Sequence, residues 1–131
     1  MSALYDTFKE ALLNKEHDLS VDAIHATLID GADYAFLATH TNYATEVSAS
    51  AKVAAFGPLT SPTIAAGVFD TADFTWPTVT GDQSEEIILW NEGLVPDTLI
   101  ANYDTGMTGM PVTPNGGDIN VTVNPSGWFA L

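Results

Sequence analysis

The histidines are the first side chains in this sequence that could bind a metal or transfer a proton. They stand at positions 17, 25 and 40, and no two of them have the i, i+4 spacing that zinc sites on helices use. His25 lies between Ile24 and Ala26 in an alternating segment, so we interpret it as a partly buried structural residue. The sequence therefore predicts no metal site and no cofactor.

Other residue types give little sign of catalysis. The chain has no cysteine, and it lacks the G-x-S-x-G, P-loop and dinucleotide-binding patterns. Glu85 with Glu86 and Asp30 with Asp33 could form acid–base pairs, but neighbours on a strand point to opposite faces, and the aspartates stand at turns. No D-x-D-x-D-G calcium loop occurs, and residues 115–118 (NGGD) are typical of a turn. We predict a non-enzymatic protein.

Aromatic residues are the other candidates for binding. Tyr34, Phe36, Tyr43 and Trp90 are expected at the surface, where they could stack on a sugar, plug the ends of a β-sandwich or meet a partner subunit. The structural roles are favoured. A carbohydrate-binding module stays open as an alternative that a groove with two coplanar aromatics would support. A small hydrolase would instead need two carboxylates facing each other in a pocket.

Composition limits the partners. The 131 residues carry 17 acidic and 3 basic side chains, none of them arginine, for a net charge of -14. Such a surface repels phosphate backbones and anionic lipids, so we predict neither nucleic acid nor a membrane as partner. No apolar stretch approaches the ~20 residues of a membrane span. The acidity either serves solubility in a saline setting or matches a basic partner.

The hydrophobic periods predict a single domain, residues 1–131, that is mainly β. Residues from about 3 to 16 have the helical spacing of an amphipathic helix, with Leu4, Phe8 and Leu12 on one face. From about 20 to 131, short strands separated by turns predict an antiparallel β-sandwich or barrel-like domain. The apolar run EEIILW is expected to be the central strand. The aromatic end, residues 127–131, is expected to close the sheet by pairing with DINVTV.

The order of these features resembles a family of small structural proteins encoded in tailed-bacteriophage genomes near the capsid genes. The resemblance rests on the N-terminal helix followed by DLSVDAIHATLIDGADY, HTNYATEV, GVFDTADFTW, EEIILWN and TLIANYDTGMTGMPVTPNGGDINVTVNPSGWFAL. It implies a virion protein, most simply a head decoration (cement) protein on the outside of the shell, with a head–tail connector or tail protein as the alternative.

That resemblance also implies partners and an interface. The partners would be the major capsid protein of the same phage and further copies of the chain, in symmetric clusters such as trimers. The helix and the segment 34–47 have the least settled role within the domain, so they are the candidate interface. Its residues are Leu4, Tyr5, Phe8, Leu12, Tyr34, Phe36 and Tyr43.

Overall fold

Antiparallel strands form most of the regular structure, so the prediction of a mainly β fold is confirmed. The computed structural model describes residues 3–104 and 110–131. The helices are α1 (Asp6–Leu13), α2 (Tyr43–Glu46) and a 3-10 turn (Ala49–Ala51). The strands are β1 (Ala3–Leu4), β2 (Ile24–Ile29), β3 (Lys52–Phe56), β4 (Thr63–Ala65), β5 (Val68–Asp70), β6 (Phe74–Trp76), β7 (Glu86–Asn91), β8 (Thr98–Tyr103), β9 (Ile119–Val121) and β10 (Phe129–Ala130).

The main sheet has five strands in the order β1-β8-β7-β2-β3, and all neighbours are antiparallel. Strand β7 lies at its centre, as its apolar run predicts. Residues 87–91 of β7 are buried on both faces of the sheet, and so are residues 98–102 of β8. In the buried interior, the indole Nε1 of Trp76 donates a hydrogen bond to the carbonyl of Ala26, and this bond links β6 to β2 of the main sheet.

Helix α1 is shorter than the predicted helix of residues 3–16. Ala3 and Leu4 instead form β1, which pairs with Asn102 and Ala101 of β8. Sheet pairing satisfies the backbone groups of these residues as well as a helical turn would, and it adds a strand to the main sheet. At the other end the chain leaves the helix after Leu13, since Lys15 takes a positive φ of 64°.

The remaining strands form two small sheets, β10-β5-β4 and β6-β9. The prediction that the final aromatic strand pairs with DINVTV is wrong. Strand β9 is paired with β6, whereas β10 pairs with β5, with Phe129 opposite Phe69. Gly127 permits this path because its φ of 84° and its missing side chain let the backbone approach Phe69 closely.

Segment 32–47 is irregular apart from α2. Asn42 caps this short helix by accepting from the amides of Ala44 and Thr45. In the described ranges, no helix has the length and apolar character needed to cross a membrane.

Candidate functional site

The residues predicted as an interface belong mostly to the core. Tyr5 and Phe8 are fully buried and Tyr34 and Tyr43 are less than one-tenth exposed, while Leu4, Leu12 and Phe36 are partly buried and pack against the core. The expectation that these side chains face a partner is therefore wrong for the buried four. The apolar face of α1 is covered by the chain's own sheets, and segment 34–47 closes over the main sheet.

A chain of hydroxyl groups explains how two tyrosines fit inside. The Tyr5 and Tyr34 hydroxyls lie 2.7 Å apart, and the Tyr34 hydroxyl lies 2.9 Å from Nδ1 of His40. Burial raises the pKa of both phenols, so both stay neutral at physiological pH. The network joins α1 to segment 34–40 and has a structural role.

The aromatic pair that could have bound a sugar is also internal. Tyr43 and Trp90 stack at 4.0 Å between ring centroids with an interplanar angle of 7°. Both are buried, and both bond to Thr27: the indole Nε1 of Trp90 donates to its Oγ1 at 2.9 Å, and the Tyr43 hydroxyl lies at 2.7 Å. The expectation that Trp90 lies at the surface is therefore wrong. The coplanar pair offers no free face, and the carbohydrate-binding alternative loses the feature that would have supported it.

Long-range folding assembles a carboxylate cluster that local sequence reasoning missed. It consists of Asp30, Asp33 and Asp82, whose side-chain oxygens lie within 4.8 Å of one another. Asp30 is buried and accepts from the amide of Ala32, the turn role expected of it, while Asp33 and Asp82 are exposed. Such oxygens are the ligand type that Ca²⁺ and Mg²⁺ take, but exposed acidic groups are also common without a metal.

The carboxylates of Glu85 and Glu86 both lie beside Gly31, next to Asp30 of the cluster, contrary to the expectation that they could not share a site. Glu85 lies before β7, so strand alternation does not apply to it, and its Oε1 accepts from the amide of Gly31 at 2.9 Å. A Cβ at Gly31 would meet both carboxylates. Burial raises the pKa of Glu86 and the charges of Asp104 and Glu85 add to the shift, while the amide of Asn102 opposes it by donating to Oε1 at 2.8 Å.

The histidines lie in different settings. His25 is partly buried, as predicted: its Nε2 lies 2.5 Å from Oε2 of Glu92, and its ring lies 4.7 Å from that of Trp90. Within residues 3–104 and 110–131, no histidine joins a cluster suited to a metal ion. The structural interpretation of His25 is consistent with these contacts.

His17 is the most enclosed histidine. Its Nδ1 lies 3.1 Å from the amide nitrogen of Asn91, which also donates to Oδ2 of Asp22 at 2.7 Å. Accepting at Nδ1 leaves the proton of the neutral ring on Nε2, for which the described residues provide no hydrogen-bond partner. Burial lowers the pKa of His17, and the carboxylates of Asp22 and Glu16 only partly oppose this effect.

His17 also lines a depression in the described surface, which we call the apolar groove. This groove has a volume of about 220 Å³ and lies between the end of α1 and the sheet β10-β5-β4. Its lining is Leu12, His17, Asp18, Leu19, Ile64, Gly67, Val68, Phe69, Phe129 and Leu131. Two of these apolar side chains stay largely in solvent, Ile64 at 56% and Leu131 at 71% exposure. Sequence reasoning missed the groove because its walls come from four separate segments.

Strand β4 borders the groove and is an edge strand. Thr63, Ile64 and Ala65 are all exposed, and within residues 3–104 and 110–131 β4 pairs with β5 on one side only. The outer side of this strand therefore presents backbone donors and acceptors next to an apolar depression.

No family model matches this sequence, and no curated protein matches it either.

Proposed function

We propose that the chain is a non-enzymatic structural protein of a tailed-phage virion, a decoration protein that binds the outside of the major capsid shell and stabilises it. The resemblance of the sequence to small phage structural proteins suggests the class. The observation that supports it in the fold is the apolar groove beside the unpaired edge of β4. This is a surface suited to another protein.

The energetics of such a surface fit a cement role. Burying a large aliphatic side chain completely contributes about 1.5–3 kcal/mol, and Ile64 and Leu131 have more than half of their surface still to bury. A protein that binds the assembled shell but not its dissociated subunits shifts the equilibrium toward the shell by mass action. Many copies, each held by a modest contact, would together stabilise a large particle.

The remaining polar groups favour binding over catalysis. The carboxylate cluster lies at a turn and does not line the apolar groove, and the tyrosine hydroxyls are bonded inside the core. A hydrolase would need opposed carboxylates within a pocket that admits substrate, and this arrangement does not provide one. Among the residues that the structure describes, no such feature therefore supports the hydrolase alternative.

A reconstitution experiment tests the proposal. Particles stripped of the protein are heated with and without added purified protein, and shell disruption is followed through the release of encapsidated DNA. We expect a saturable rise in the disruption temperature and density for the protein over the whole shell in electron micrographs. Unchanged disruption with no protein bound would refute the proposal. Binding confined to one ring at a vertex would assign the chain to the neck or tail.

A further inference from the structure

We infer that the apolar groove is the docking site for an extended segment of the shell protein in which an apolar side chain is flanked by lysine or arginine; this inference rests on the proposed function and names the chemistry of its partner. The apolar side chain would fill the groove, and the backbone of the segment would pair with the outer edge of β4.

The size of the groove selects a side chain rather than a metabolite. Its volume of about 220 Å³ falls below the ~300–1,000 Å³ of pockets that enclose drug-sized ligands. The walls are aliphatic and aromatic, with Leu19 and Phe69 at the buried end and Ile64 and Leu131 at the exposed rim. One or two apolar side chains fit such a space, and their transfer from water into it is favourable in free energy.

The edge of β4 supplies the second half of the site. An extended segment can add to an exposed strand through main-chain hydrogen bonds, while a neighbouring pocket reads alternate side chains. Ile64 belongs both to β4 and to the groove, so a segment paired with β4 would pass directly over the pocket. Since β4 has three residues, this pairing is short, and the apolar side chain must provide much of the affinity.

Charge decides between a foreign segment and a second copy of the chain. Asp18 is the only charged residue in the lining of the groove. The carboxylates of Glu16 and Asp22 lie close enough to influence the neighbouring His17 ring. Residues 15–22 thus carry three acidic side chains and one basic side chain, that of Lys15. A second copy would bring the same excess of acid, with a net charge of -14 and no arginine. A basic segment is attracted to this border, whereas a like-charged copy is repelled.

Site-specific photo-cross-linking on the assembled particle tests the inference. A photoreactive amino acid replaces Ile64 at the groove, and in the matched control it replaces Val95, which is fully exposed and outside the groove. We expect position 64 to cross-link to a shell-protein peptide with a basic residue beside an apolar one, and position 95 to give no such product. Cross-links to another copy of the chain would overturn the inference, as would no cross-link at 64 on particles that carry the protein. Absence of the protein from the particle would instead refute the proposed function itself.

A charge variant provides an independent readout. Asp18→Asn should weaken binding to stripped particles about two- to fivefold at low salt, and the effect should vanish at high salt. The control is Asp118→Asn, because both aspartates are exposed and both accept from a backbone amide, Asp18 from Ser20 and Asp118 from Thr78. Equal losses for the two variants would show that the groove border does not select a basic partner.

Discussion

Gly127→Ala tests how closely the final strand approaches the rest of the fold. Gly127 has a φ of 84°, and a Cβ there would lie 2.5 Å from Cγ1 of Val68 and 2.7 Å from the carbonyl oxygen of Phe69. The valine methyl group can turn aside, but the Phe69 carbonyl belongs to the backbone of β5. The variant must therefore push β10 away from β5.

The expected loss has three parts. A non-glycine residue in this left-handed conformation costs about 1–2 kcal/mol. Overpacking against the β5 backbone adds about 1–3 kcal/mol. The displacement also weakens two hydrogen bonds of Trp128, from its amide to Phe69 at 2.8 Å and from the Tyr103 hydroxyl to its carbonyl at 2.6 Å, each contributing about 1 kcal/mol. With each hydrogen bond weakened by about half, we expect a total of about 3–6 kcal/mol, a large share of the 5–15 kcal/mol that stabilises a typical domain.

Gly116→Ala is the matched control. Gly116 has nearly the same φ, 89°, but the nearest atom to its Cβ is Cγ2 of Thr80 at 4.0 Å. It should lose only the conformational part, about 1–2 kcal/mol. Urea denaturation gives both free energies of unfolding, provided that the m-values agree. Equal destabilisation of the two variants would refute the close packing of residues 127–131 on β5.

Three further predictions concern the interior and the acidic surface. Thr27→Val should lower the free energy of unfolding by about 2–4 kcal/mol in urea denaturation, because it leaves the buried indole of Trp90 and the hydroxyl of Tyr43 without their shared partner; a loss below that of a typical surface substitution would contradict the network. Burial holds the pKa of His17 below its ordinary value of 6.5. Between the lowered pKa and 6.5, the unfolded chain therefore binds a proton at this ring that the folded chain does not. The contribution of the neutral ring to the free energy of unfolding is complete above pH 6.5 and is lost as the pH falls below 6.5. Unfolding measured against pH should show this loss in the wild type and a smaller one in His17→Gln; identical profiles would contradict the burial of the ring. Asp33→Asn should raise stability by roughly 0.5 kcal/mol at low salt by relieving repulsion in the carboxylate cluster, and a gain that persists at ~1 M salt would show that the cause is not electrostatic.

Local patterns in the sequence were enough to predict most elements. The apolar run of β7 requires burial on both faces, which only a central strand provides, and the alternation around His25 predicts β2. The helical spacing of Phe8 and Leu12 predicts α1. These features depend on residues close together in the chain.

Features that depend on distant partners were not predictable in the same way. Ala3 and Leu4 continue the helical pattern, but pairing with β8 wins. Tyr34 and Tyr43 look like exposed residues of a loop, yet each hydroxyl finds a bonding partner in the core and can be buried. The carboxylate cluster needs Asp82, which no local pattern connects with residues 30–33.

The candidate site shows the same limit more strongly. The sequence predicted an interface on α1 and segment 34–47 because these parts had the least settled role within the domain. The apolar face of an amphipathic helix can equally be buried against the sheets of its own chain. Of the predicted interface residues, Leu12 lines the apolar groove, but most of its walls come from residues such as Ile64, whose neighbours Thr63 and Ala65 give no sign of an interaction surface. Exposure that depends on the packing of four segments cannot be derived from any one of them.

The copy number of the chain in purified virions tests the central claim most directly. Quantitative mass spectrometry would compare its peptides with those of the major shell protein in the same particles. Decoration of the whole shell predicts an abundance comparable to that of the shell protein. A count that fits a single ring, or absence from the particle, would contradict it.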